Sequence, residues 1–235
     1  MTSDRPGDDI KIWTGEPSVA TRLSYAVVRA GFVLLFKVVG RAQIFGAGHI
    51  PTSGAFVLAP VHRSNIDFAL SSLLTDRPMR YMGKDSIWKF HLLGRFVSVL
   101  GAFPVHRGTA DRDAMKACID IVKGGSPLVM FPEGTRNEGP EISEIFDGTA
   151  YVAAKCGVPI IPVGIGGSEM AMAKGSRMPH RARLVLVVGA PIPPPPKNES
   201  GRLPRSAISA LTERLRVELQ AHFDEAMAQA GAPRH

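Results

Sequence analysis

Cysteine is scarce: Cys118 and Cys156 are the only two in 235 residues. Neither belongs to a CxxC pair and no zinc-type spacing occurs, which excludes a disulfide framework and a structural zinc site. Both fall in helix-like stretches and are expected to be reduced and mostly buried. A secretory leader is not expected either. Residues 1–17 (MTSDRPGDDIKIWTGEP) are polar, with two prolines, and lack a basic start followed by an apolar run. Long hydrophobic runs are missing as well. The longest, Ala26–Val39, is broken by Arg29 and Lys37, whereas a spanning helix takes about 20 mostly apolar residues. The chain is therefore expected not to span a membrane.

Several catalytic signatures are also absent. A serine hydrolase needs Gly-x-Ser-x-Gly, and Gly166-Gly167-Ser168-Glu169-Met170 lacks the final glycine. There is no HExxH, no Walker loop and no dinucleotide-binding loop. Acidic residues are outnumbered: 21 Asp and Glu stand against 28 Lys and Arg, a net charge of +7. That balance favours an anionic partner, whether nucleic acid, anionic lipid or a phosphorylated substrate. No segment clusters aromatic with basic residues as single-strand binders do. Nucleic acid is therefore not an expected partner, and a basic membrane-binding module remains the non-enzyme alternative.

What is present suits one α/β domain with a full-sized core, at 45% hydrophobic and 21% charged residues. Residues 1–17 are expected to be a flexible arm. A helix is expected over 18–40, with Ser18 as its N-cap. In it Arg22, Arg29 and Lys37 fall within about 80° of one another at 100° per residue, a basic stripe on an apolar cylinder. Two readings stand: a helix packed on the domain with its stripe in water, or an interfacial helix with its cations at lipid headgroups.

From residue 41, apolar runs alternate with helical patterns. Ala55–Ala59, Met79–Met82, Ala102–Val105, Leu128–Phe131, Ile160–Ile165 and Leu184–Val188 read as buried strands. Helices are expected near 66–75, 86–99, 110–123 and 147–156. Strands separated by helices predict an α/β fold, a mostly parallel central sheet flanked by helices over 41–190. Ala190–Pro196 (APIPPPP) reads as an extended proline-rich linker. Ile208, Leu211, Leu215, Leu219 and Phe223 recur at helical spacing after it, so 191–235 should hold a C-terminal helix packed on the domain.

Three strand endings carry polar residues suited to chemistry. In Val61-His62-Arg63-Ser64-Asn65-Ile66-Asp67, a turn into the next helix can fold Asp67 back to His62. A carboxylate on Nδ1–H fixes the tautomer and stabilises the imidazolium formed when Nε2 takes a proton from an alcohol. In Phe131-Pro132-Glu133-Gly134-Thr135-Arg136, Gly134 permits close backbone approach and Arg136 suits bidentate phosphate binding. Glu133 suits a substrate hydroxyl, or the positioning of Arg136. Gly101-Ala102-Phe103-Pro104-Val105-His106-Arg107 ends a third strand on a cation. Each taken singly is equally compatible with a solvated turn; the convergence makes a crevice.

These segments resemble the glycerolipid acyltransferases, the lysophosphatidic acid acyltransferase (PlsC-like) family. HRSNID resembles its His-x4-Asp motif, GAFPVHR its second motif, FPEGTR its third and Val158-Pro159-Ile160-Ile161-Pro162-Val163 its fourth, in the family's order, across about residues 45–190. The resemblance implies a glycerol-3-phosphate acyltransferase-like fold with a membrane-associating N-terminal helix, which tips residues 18–40 to the interfacial reading. It implies His62 as general base and Asp67 as its orienting partner. Lys84, Arg107 and Arg136 would bind the acceptor's phosphate. Glu133, Gly134 and Thr135 would shape the acceptor site, and Pro159 and Pro162 an apolar acyl wall.

The implied reaction carries a fatty acyl group from acyl-CoA or an acyl carrier protein to lysophosphatidic acid, giving phosphatidic acid. It needs no metal, no cofactor and no covalent intermediate. Glycerol-3-phosphate and another lyso-phospholipid or glycolipid are the alternative acceptors. The implied location is peripheral, on the cytoplasmic face of the plasma membrane. Two departures stand out: Val61 replaces an asparagine, and Phe146-Asp147-Gly148 stands where the family has Phe-Lys-x-Gly. An acid there would weaken the field on a phosphate and so counts against plain lysophosphatidic acid.

Overall fold

A computed structural model describes residues 17–39, 41–105, 112–142, 144–173, 175–176, 180–198 and 200–231. In chain order the elements are α1 (Val19–Val33), β1 (Gln43–Phe45), β2 (Val57–Pro60), α2 (Asp67–Ser71), β3 (Arg80–Lys84), α3 (His91–Val99) and β4 (Ala102–Val105). They continue with α4 (Arg112–Lys123), β5 (Leu128–Val129), α5 (Gly148–Cys156), β6 (Ile160–Gly166), α6 (Ser168–Ala171), β7 (Val185–Val188) and α7 (Arg205–Ala230).

The seven strands form one sheet in the order β1-β7-β6-β2-β5-β3-β4. Every neighbouring pair is parallel except β6 and β7, which run antiparallel. Strands β2, β6 and β7 are buried along their whole length. That explains their unbroken apolar runs, since a strand covered on both faces has no polar side to alternate with. The expected mostly parallel α/β sheet is the observed one. Strand β1 was not legible in the sequence: three residues, QIF, are too few to establish a period of two, and only the parallel pairing with β7 defines it.

Helix α7 lies against β6 and buries Ile208, Leu211, Leu215, Leu219 and Phe223, the five residues of the helical repeat. The approach is so close that a Cβ on Gly164 would stand 2.1 Å from the His222 carbonyl oxygen, so only glycine fits there. The proline-rich segment is less free than a linker: Ile192 exchanges two backbone hydrogen bonds with Ile160 and is 1% exposed. Neither cysteine is in a disulfide; Cys118 is buried and Cys156 half-buried.

Helix α1 starts where the sequence places it, the Ser18 hydroxyl accepting from Thr21 N at 3.1 Å. It continues as a π-helical stretch, Leu34–Val39. The stretch Val19–Lys37 is long and apolar enough to cross a membrane by length and composition. The charges within it, Arg22, Arg29 and Lys37, are spread widely among the apolar residues. The basic stripe does not act as one surface. Arg22 and Lys37 are exposed, while Arg29 turns inward, its Nε donating to the Ser72 carbonyl at 3.0 Å.

Candidate active site

The sheet topology assembles the site. Strand β5 lies between β2 and β3. The loops leaving the C-terminal ends of β2 and β5 are therefore adjacent, and Lys84 ends β3 beside them. In open parallel sheets this edge is where ligands bind.

His62 follows β2 by two residues, and its Nδ1 lies 3.0 Å from Asp67 Oδ2. Asp67 opens α2 and is fully buried. The same Oδ2 accepts the backbone N–H groups of Arg63 and Ser64, both at 2.7 Å. Three donors converging on one oxygen fix the carboxylate, and through it the imidazole. The ring is also stacked on Phe131, with centroids 4.0 Å apart and planes 22° apart. Nδ1–H donates to the carboxylate, which leaves Nε2 as the proton acceptor.

Glu133 has a different place from the one its sequence position suggested. Its Oε1 accepts from His62 N at 2.9 Å, and its Oε2 from the Arg63 guanidinium and from Asn137 Nδ2. It is 2% exposed and is not among the residues lining the cavity described below. The reason is Arg63. That side chain is 1% exposed, donates to the carbonyls of His62, Gly139 and Glu141, and sits 4.8 Å over the Phe223 ring. A buried guanidinium takes the nearest carboxylate as its counterion.

Beside His62 opens a cavity of about 450 Å³. Lys84, Arg136, Arg29 and Asn65 line it with His62, among mostly apolar neighbours that include Phe32, Phe68, Met82, Val97 and Leu100. Tyr25 and Tyr81 complete one wall. Burial pushes both phenols up, and the nearby Arg29 guanidinium pulls them the other way. Among the described residues no three His, Cys, Asp or Glu side chains cluster to hold a metal ion.

The structure thus brings His62, Asp67, Lys84 and Arg136 together. Gly134 and Thr135 belong to the exposed part of the same turn and do not line the cavity. Gly134 takes φ +66°, and a Cβ there would meet the Phe146 ring at 2.8 Å. Arg107 lies outside the described residues, as does His106. Pro159 and Pro162 do not line the cavity. Both are committed to the sheet, the Pro159 carbonyl accepting from Val57 N and the Pro162 carbonyl from Gly189 N. Phe32, Phe68, Met82, Val97 and Leu100 supply the apolar wall instead.

Asp147 likewise acts elsewhere: its Oδ1 accepts from the Thr212 hydroxyl of α7 at 2.7 Å, and it does not line the cavity. Sequence reasoning missed Arg29, Tyr25 and Tyr81. Only the seven-residue spacing of Arg22 and Arg29 hinted at a shared face, and it pointed to lipid.

The acyltransferase family model matches residues 41–166. The chain is 30% identical over 140 residues to a chloroplastic 1-acyl-sn-glycerol-3-phosphate acyltransferase of Brassica napus, covering 58% of this chain and 40% of that one. It is 24% identical over 183 residues to the Bacillus subtilis 1-acyl-sn-glycerol-3-phosphate acyltransferase, covering 77% of this chain and 87% of that one. The chain spans about two fifths of the length of the plant relatives it matches. The crystal structure of the 1-acyl-sn-glycerophosphate acyltransferase PlsC from Thermotoga maritima superposes with a TM-score of 0.65. That match covers 86% of this chain and 80% of that one at 22% identity, and marks a shared fold.

Proposed function

This chain belongs to the acyltransferase family, and from that premise we propose that it acylates the free hydroxyl of lysophosphatidic acid to give phosphatidic acid. The observation that carries the reading is the His62–Asp67 pair standing at a cavity that is apolar along one wall and cationic along another. Lys84 and Arg136 bind the acceptor's phosphate, through charge-assisted contacts that Arg136 can make bidentate. The acyl chain lies against Phe32, Phe68, Met82, Val97 and Leu100. His62 Nε2 takes the hydroxyl proton as the oxygen attacks the thioester carbonyl of acyl-CoA or an acyl carrier protein. The tetrahedral intermediate then collapses and expels the thiolate, which takes up the proton. Asp67 holds the ring and offsets its charge while it is protonated.

The same proposal places the protein on a membrane surface, at the cytoplasmic face, with α1 in the interface rather than across the bilayer. Support comes from the inner face of α1, where Tyr25, Val28, Arg29 and Phe32 are committed to the cavity wall. Long-chain substrates are then received without drawing each methylene through water at about 0.8 kcal/mol.

The test is incubation with one labelled long-chain acyl-CoA and a panel of lysophosphatidic acid, glycerol-3-phosphate and lyso-phospholipids with larger headgroups. The expected product is phosphatidic acid, formed fastest. Label appearing only in a larger phospholipid would move the assignment to that acceptor. Label in no lipid would end it.

A further inference from the structure

Helix α3 and the residues that flank it present large apolar side chains that no described residue covers. Phe90 is 70% exposed, Leu92 84%, Phe96 51% and Val99 42%. Leu92, Phe96 and Val99 follow one another at helical spacing on the outer face, while Val97 and Leu100 line the catalytic cavity from the other side. A helix apolar on both faces belongs in a core or against lipid. The exposed outer residues of α1, Leu23 and Val27, meet Phe96 and Val99 across a groove between the two helices. One continuous apolar surface therefore spans α1 and α3.

We propose that α3 is a second lipid-inserting element, which docks beside α1 on an anionic bilayer. The proposal rests on the membrane-surface reading above and extends it to a part of the chain that reading does not use.

Charge selects lipid as the occupant. Residues 17–39 and 86–101 contain no Asp or Glu, and the cations exposed on them are Arg22, Lys37, Lys89 and Arg95. Lys89 and Arg95 are exposed on or beside α3. Apolar side chains flanked by these cations match acyl chains beneath phosphate headgroups. A second copy of the same face would bring cation against cation. Because Val97 and Leu100 form the cavity's inner wall, α3 is then the partition between cavity and bilayer, and the line between α1 and α3 is the route of an entering acyl chain.

The experiment is sedimentation of the full-length chain with vesicles of phosphatidylglycerol and phosphatidylcholine, comparing wild type, L92S/F96S and the control V217S. Val217 is 53% exposed on α7, the helix packed on β6, β7 and α5. The expected result is binding at least tenfold weaker for L92S/F96S and unchanged for V217S, with circular dichroism and melting temperature matching wild type. Acyl transfer to a short-chain, water-soluble acceptor is read in parallel and should persist in L92S/F96S. Failure of transfer in wild type would strike the enzymatic reading alone. Wild-type vesicle binding by folded L92S/F96S would overturn the proposal. So would a loss of self-association in that variant with vesicle binding intact, which would make the face a contact between copies.

Discussion

Arg63 and Glu133 form an ion pair between side chains that are each at most 2% exposed, and it ties the loop after β2 to the loop after β5. Because Glu133 also holds the backbone N–H of His62, the conspicuous acid of FPEGTR fixes the place of the imidazole.

Glu133→Gln keeps the shape but removes the charge opposite a buried guanidinium. Breaking one partner of a buried pair costs about 3–5 kcal/mol. A lowered melting temperature is therefore expected, together with a fall in kcat as His62 loses its anchor. Full stability with only a raised acceptor KM would return Glu133 to a direct substrate role.

Arg136→Ala should raise the KM for phosphate-bearing acceptors about 10- to 100-fold, the worth of a charge-assisted contact, with melting unchanged. Lys84→Ala should act in the same direction. An unaltered KM in both would remove the phosphate from this wall of the cavity.

Arg29→Ala tests whether α1 belongs to the site. The helix sends this cation inward to Ser72 and the cavity. The expected outcome is an acceptor KM raised about tenfold, one charge-assisted contact, in detergent micelles as well as on vesicles. A loss confined to vesicles would make Arg29 a headgroup contact instead.

Asp147→Lys, which installs the family's usual charge, should leave acceptor KM unchanged. The carboxylate it replaces faces Thr212, not the cavity. The measurable effect is a small drop in melting temperature, about 1 kcal/mol for one lost hydrogen bond. A markedly lowered KM for lysophosphatidic acid would show that the residue does act on the phosphate.

The parts legible in the sequence were those with a local signature. Six strands announced themselves as buried apolar runs, and a five-residue separation sufficed for His62 to meet Asp67. Other features depend on contacts distant in sequence. A helical wheel places Arg29 near Arg22 but does not say which side of an all-round apolar helix meets the domain. Pro159 and Pro162 lie in the matched motif, yet their strand is committed to β2 and β7. The Asp147 partner, Thr212, is 65 residues away, and Ile192 is pinned by Ile160 through backbone bonds that carry no side-chain signal.

The most direct measurement is kcat/KM for acyl transfer to lysophosphatidic acid by wild type and His62→Ala, at matched circular dichroism and matched vesicle binding. Loss of a general base predicts a fall of about 10²–10⁴-fold. Equal rates for the two folded proteins would contradict the proposal that this imidazole takes the proton.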